Sequence, residues 1–91
     1  MLIENPSIKD LEARLKAVRT YKFDGKNYMT TGDLAIVLGI PRELLDKCRK
    51  RYSNLIKPEL MFGTGKYYSV EKARRIYAVF HLKKPYSEHH I

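Results

Sequence analysis

The sequence predicts a mainly α domain that carries a small β-hairpin. Three observations predict it. Apolar residues recur at three- and four-residue steps in several separate segments, the spacing of amphipathic helices. Two glycine-containing turns, Asp24-Gly25 and Gly63-Thr64-Gly65, stand between short runs of strand-forming residues. The stretch YMTTGDLAIVLGIP, residues 28–41, opens on helix-capping residues and stops abruptly at Gly39-Ile40-Pro41.

Ser7 to Thr20 reads as the first helix. Ser7 can cap it, Pro6 stands just before it, and Asp10 takes the third helical position of an acidic capping box. Ile8, Leu11, Leu15 and Val18 make one apolar stripe, expected to be core. The segment YKFDGKNYM follows. Gly25 accepts the positive φ of a tight turn, so this is either a hairpin or a β-turn with one paired strand. Thr31 to Leu38 is the second helix. Thr30 or Thr31 can cap it, Asp33 sits favourably in its first turn, and Leu34, Ala35 and Leu38 face inward.

Gly39 can take the left-handed conformation that ends a helix. Pro41 is acceptable as the first residue of a third helix, Pro41 to Asn54. There Leu44, Leu45, Cys48 and Tyr52 are expected on the buried face. Arg42, Asp46, Arg49, Lys50 and Ser53 lie on the other. Leu60, Phe62, Lys66, Tyr67 and Tyr68 supply two extended runs around the glycine tip. Ser69 caps a fourth helix, Val70 to Lys83, with Ala73, Ile76, Tyr77 and Phe80 as its apolar stripe. A single domain over 1–91 is expected, ordered over about 7–83, with 84–91 as a flexible tail.

Charge narrows the partner. Eighteen Lys and Arg against ten Asp and Glu give +8. The excess is uneven: net +1 over residues 1–40, +3 over 41–65 and +4 over 66–91. A basic surface of this size suits a polyanion, most often nucleic acid. The plain alternative is a soluble basic protein that binds nothing.

Other classes are disfavoured. No apolar run is long enough to span a bilayer, and the N-terminus lacks a signal-peptide pattern, so a cytoplasmic protein with no membrane partner is expected. One cysteine, Cys48, leaves no disulfide framework. It is expected to be a small core residue. His81, His89 and His90 can touch a metal, but two fall in the expected tail, so no metal or cofactor is expected. Gly63-Thr64-Gly65-Lys66 fails as a phosphate-binding Walker loop, because Leu60 stands at the first glycine and Tyr67 at the Ser/Thr position. No paired carboxylates and no Ser/His/Asp set converge, so no enzyme is expected.

The element order is helix, short hairpin or strand, helix, three-residue turn, helix, β-hairpin, helix. That is the order of a winged helix-turn-helix. The chain also resembles the MerR-like and excisionase-like winged helix group. That group's first helix reads roughly T-x-x-x-L-A-x-x-L-G-V, and TTGDLAIVLGI fills it with Thr31, Leu34, Ala35, Leu38, Gly39 and Ile40. Its wing reads roughly G-x-R-x-Y-S and leads into E-x-D-V-x-R-L-x-x-I. Here GKYYSVEKARRIYAV supplies Gly65, Lys66, Tyr68, Ser69, Glu71, Arg75, Ile76 and Val79. The resemblance spans about residues 29–80. The group's L-R-Y-Y/W-E segment is replaced by Leu45-Asp46-Lys47-Cys48-Arg49, with Asp46 at the expected arginine and no aromatic pair. No coiled-coil helix or effector domain is present in the sequence, and no small-molecule effector is expected.

The resemblance implies double-stranded DNA as partner, with the helix about 41–54 in the major groove and the wing about 57–68 on the backbone or minor groove. Arg42, Asp46 and Lys47 are expected at or beside base edges, since Arg bridges guanine O6 and N7 and a carboxylate accepts from cytosine N4. Arg49, Lys50 and Arg51 suit phosphates. In the wing, Lys57, Thr64 and Lys66 are candidates, Lys66 taking the place of the group's wing arginine. Tyr68 is expected in the core. Arg74 and Arg75 can add phosphate contacts, and Thr31 can contribute at the N-terminus of the bracing helix. The function implied is sequence-specific DNA binding in transcription regulation or excision, by a nucleoid-associated homodimer. Alternatives are a plasmid-partition or replication accessory protein that coats DNA, and a protein-interaction module using Tyr77, Phe80 and Tyr86. RNA binding is disfavoured, because the sequence shows no stacking-aromatic array on its strands.

Overall fold

The computed structural model describes residues 6–82. Within them the order is α1 (Ile8–Ala17), β1 (Tyr21–Phe23), β2 (Lys26–Thr30), α2 (Thr31–Leu38), α3 (Arg42–Arg51), β3 (Leu60–Phe62), β4 (Gly65–Ser69) and α4 (Val70–Tyr77), which runs into a π-helical turn, Ala78–Leu82. This is a small α/β domain. The expected flexible tail, residues 84–91, lies outside the described residues, as do Tyr86, His89 and His90.

Helix starts follow the sequence closely. The Ser7 hydroxyl accepts the Asp10 N–H, Thr30 accepts the Asp33 N–H, and Ser69 accepts the Lys72 N–H at 3.1 Å. Each bond satisfies an amide that the first helical turn cannot pair. Of the two threonines available to α2, Thr30 is the cap. Pro41 is the N-cap of α3 rather than its first residue. Lacking a side-chain acceptor, it caps through fixed φ alone.

The second helix ends as its glycine requires. Gly39 has φ 67°, its N–H meets the Ile36 carbonyl, and the Ile40 N–H meets the Ala35 carbonyl, both at 3.1 Å. This is a Schellman closure. The Leu38 carbonyl, left unpaired by the helix end, accepts the His81 Nε2–H at 2.7 Å, and Arg14 reaches the Ile36 carbonyl.

The sheet is larger than the sequence predicts. Tyr21–Phe23 and Lys26–Thr30 form a full hairpin, closed by Asp24 and Gly25, both at positive φ. Strand β2 then pairs antiparallel with β4, giving one four-stranded sheet of order β1-β2-β4-β3. Of the two alternatives, the hairpin forms, and it is one half of a continuous sheet. Met29 and Tyr68 sit opposite each other, both fully buried, and form the floor of the core. Above them pack Leu11, Leu34, Leu38, Leu45, Ile56, Ile76 and Tyr77. Each such side chain removed from water contributes on the order of 2 kcal/mol.

Two helices depart from expectation. Only Leu45 of α3 is buried; Leu44 and Tyr52 are exposed and Cys48 is half-buried against the core. A helix with seven charges in ten residues has little apolar surface to bury. The helix stops at Arg51, not Asn54, and turns through residues 52–56 that drop Ile56 into the core. Helix α4 gives way to the wider π turn at Ala78. Tyr77, named for a protein-docking surface, is fully buried, because its ring fills the core and its hydroxyl reaches Asp10. Phe80 is partly buried against the core and contacts Tyr52.

Candidate functional site

A groove of about 310 Å³ opens where the N-terminus of α2, the first turns of α3 and the tip of the β3–β4 hairpin meet. Thr31, Arg42, Asp46, Arg49, Thr64 and Lys66 line it, joined by Thr30, Gly32, Gly65 and Tyr67. Six residues singled out from the sequence thus converge from three separate elements.

Local sequence explains each position. Thr30 and Thr31 lie at a capped helix start, where amides point outward and the helix dipole favours anions. Arg42, Asp46 and Arg49 recur at steps of four and three, which places them on one face of α3. Gly63, at φ 57°, turns the hairpin and brings Thr64 to the rim. Gly65 is needed for another reason. A Cβ there would lie 3.0 Å from the Tyr67 ring and 3.2 Å from the Phe62 carbonyl.

Arg49 is held rather than free. Its guanidinium donates to the Tyr68 hydroxyl at 3.4 Å and pairs with Asp46 at 3.4 Å. The hydrogen bond to Tyr68 is the main cause that strengthens its hold on the proton. Asp46 keeps a carboxylate among the cations of the groove. Its negative charge opposes a bare phosphate beside it and suits a donor such as an exocyclic amine.

The remaining expected residues stand elsewhere. Lys47, Lys50 and Arg51 are exposed on α3, with the Arg51 guanidinium 5.7 Å from the Tyr52 ring centre. Lys57 is exposed in the loop before β3, and its carbonyl accepts from Lys72 Nζ. Arg75 is exposed on α4. Arg74 is turned to α1, where it forms a two-pronged bond with Glu12, both distances 2.9 Å. A carboxylate facing it at that range takes the place expected for a phosphate.

Thr30, Gly32, Gly65 and Tyr67 belong to the groove without having been chosen as contact residues from the sequence. Tyr67 carried a usable signal, being adjacent to Lys66 in an alternating strand. Gly32 carried none.

Among the described residues no group of three or more His, Cys, Asp or Glu is placed to hold a metal ion, and no helix is long and apolar enough to cross a membrane. No protein-family model matches the chain, and no curated protein or solved structure matches it.

Proposed function

We propose that this protein is a small sequence-specific double-stranded DNA-binding protein of winged helix-turn-helix type, acting in transcription regulation or excision. One observation carries the reading: Arg42 and Arg49 of α3 share a single polar groove with Lys66 of the β3–β4 hairpin. A helix and a hairpin presenting cations to one space is the arrangement needed to read a groove and grip the adjoining backbone at once. The exposure of α3 supports it, since Arg42, Glu43, Lys47, Lys50 and Arg51 stand open on a helix that buries only Leu45, which leaves a charged face to enter a major groove. The MerR-like motif match agrees with this assignment of helix and wing. In it Arg42 and Asp46 meet base edges. Lys47 stands beside them, Lys50 and Arg51 meet phosphates, and Lys66 and Thr64 follow the backbone.

One domain of this size reads only a few base pairs, so a homodimer on a two-fold site completes the proposal. Binding-site selection from a random duplex library, followed by footprinting, tests it. A bounded, enriched site is expected, with affinity falling steeply in salt. Six neutralised phosphates would give a slope of log K on log salt of about −5. Arg42→Ala is expected to weaken the selected site about tenfold and relax its sequence preference. Lys66→Ala is expected to weaken all duplexes alike and reduce the slope by about one. No enrichment and no salt-sensitive retardation would sink the reading. A footprint that spreads with protein concentration would point to a DNA-coating accessory protein.

A further inference from the structure

The open face of the sheet is a second surface with its own chemistry. Strand register pairs Tyr21 with Tyr28, Leu60 with Tyr67, and Phe62 with Gly65. Directly paired residues point to the same side of a sheet. Tyr21, Phe23, Tyr28, Leu60, Phe62 and Tyr67 therefore stand together, opposite the buried Met29–Tyr68 floor. Phe23 stacks on Phe62 with ring centres 5.3 Å apart, and Tyr67 meets both Tyr21 and Phe62 edge-on at 6.1 Å. These rings line a groove of about 250 Å³, yet Tyr21 remains 44% exposed, Phe23 39% and Phe62 55%. The disfavoured stacking array is thus present. The two hairpins that build it are far apart in sequence, so no single segment displays it.

Charge selects the occupant. The four strands carry Lys22, Lys26 and Lys66 and no carboxylate; the neighbouring Glu59, just before β3, has its carboxylate engaged by the Ser69 N–H and lies near Lys26 and Lys72. Lys26 is paired with Phe23 on the aromatic face, and Lys22 lines its groove. A second copy of the chain would set this lysine-bearing face against its like. A polyanion with flat apolar faces complements it in both respects. We propose that the aromatic face of the sheet binds single-stranded nucleic acid, its exposed rings stacking on unpaired bases while the neighbouring lysines meet phosphates. Tyr67 lines this groove and the polar groove alike, so a strand lying on the rings is contiguous with Arg42, Arg49 and Lys66. The inference does not rest on the duplex reading.

Fluorescence anisotropy of labelled oligo(dT) with the full chain, over a range of salt, tests it. Phe62→Ala and Phe23→Ala should each weaken binding about tenfold at fixed salt, because a stacking partner is lost. The salt slope should not change, because no phosphate contact is lost. Phe62→Trp should restore the affinity. In the wild type, the ring resonances of Tyr21, Phe23 and Phe62 should shift on adding oligo(dT). The same alanine variants should bind the selected duplex within about twofold of wild type, whereas Arg42→Ala acts on the duplex, so the two readings fail separately. Unchanged oligo(dT) affinity with unshifted rings would overturn the proposal. So would a dimer in sedimentation equilibrium that Phe62→Ala dissolves, or binding to phosphatidylserine vesicles without binding to oligo(dT).

Discussion

The Tyr77 hydroxyl donates to Asp10 Oδ2 at 2.5 Å and so ties the last turn of α4 to the first turn of α1. The Tyr77 hydroxyl oxygen accepts the Ser7 N–H, and Asp10 Oδ2 also accepts from Arg14 Nε at 2.9 Å. Burial pushes the Tyr77 hydroxyl up, and its bond to the Asp10 carboxylate adds to this, to about 12. Burial also pushes the Asp10 carboxyl up, but the bonds from Tyr77 and Arg14 and the Arg14 charge outweigh it, and the net direction is down.

The two shifts act at opposite ends of the pH scale. A raised folded-state value for Tyr77 contributes stability that is complete below about pH 10 and is lost as pH rises through about 12. The lowered Asp10 value contributes stability present above its ordinary value of 3.8 and lost as pH falls through the folded one. Tyr77→Phe is expected to lower the unfolding free energy by about 2 kcal/mol at pH 7, the worth of a bond to a charged group. It should also remove the Tyr77 share of the loss between pH 10 and 12. Urea unfolding of both proteins at pH 7 and pH 11 measures this.

Arg74 separates stability from binding. Its two-pronged bond with Glu12 joins α4 to α1, with both side chains about a third exposed. Solvent screening at that exposure limits the pair to about 0.5 kcal/mol. Arg74→Ala should lower the melting temperature by a few degrees and leave duplex affinity within about twofold. A large loss of affinity with an unchanged melting temperature would place Arg74 on the DNA after all.

Tyr68 offers the converse test. Its ring is fully buried, and its hydroxyl holds the Arg49 guanidinium over the polar groove. Tyr68→Phe keeps the ring and removes the anchor, which is worth about 1 kcal/mol. Duplex affinity is expected to fall about fivefold, with a near-normal melting temperature. Arg49→Ala should then add little to Tyr68→Phe, since both remove the same contact.

Gly39 fixes the direction in which α3 leaves α2. At φ 67° a side chain brings the left-handed penalty, about 1 kcal/mol or somewhat more. Gly39→Ala should lower stability by about that amount in chemical denaturation, and Gly39→Asn by less, because asparagine tolerates this conformation better.

Local order was legible in the residues themselves. Ser7, Thr30 and Ser69 cap where short polar side chains precede apolar ladders, and Gly39 and Gly63 turn where positive φ is needed. These features depend on neighbours within four or five positions, so periodicity and capping chemistry suffice to place them. The convergence of Arg42, Arg49 and Lys66 was expected only through the motif resemblance. Tertiary packing decided the rest. The pairing of β2 with β4, the burial of Tyr77 against Asp10, the turn of Arg74 toward Glu12 and the aromatic face of the sheet all join residues distant along the chain. An arginine or a tyrosine looks the same in the sequence whether it faces solvent or a carboxylate. Which of them it faces depends on how the two hairpins and the flanking helices close around Met29 and Tyr68, and no local pattern records that.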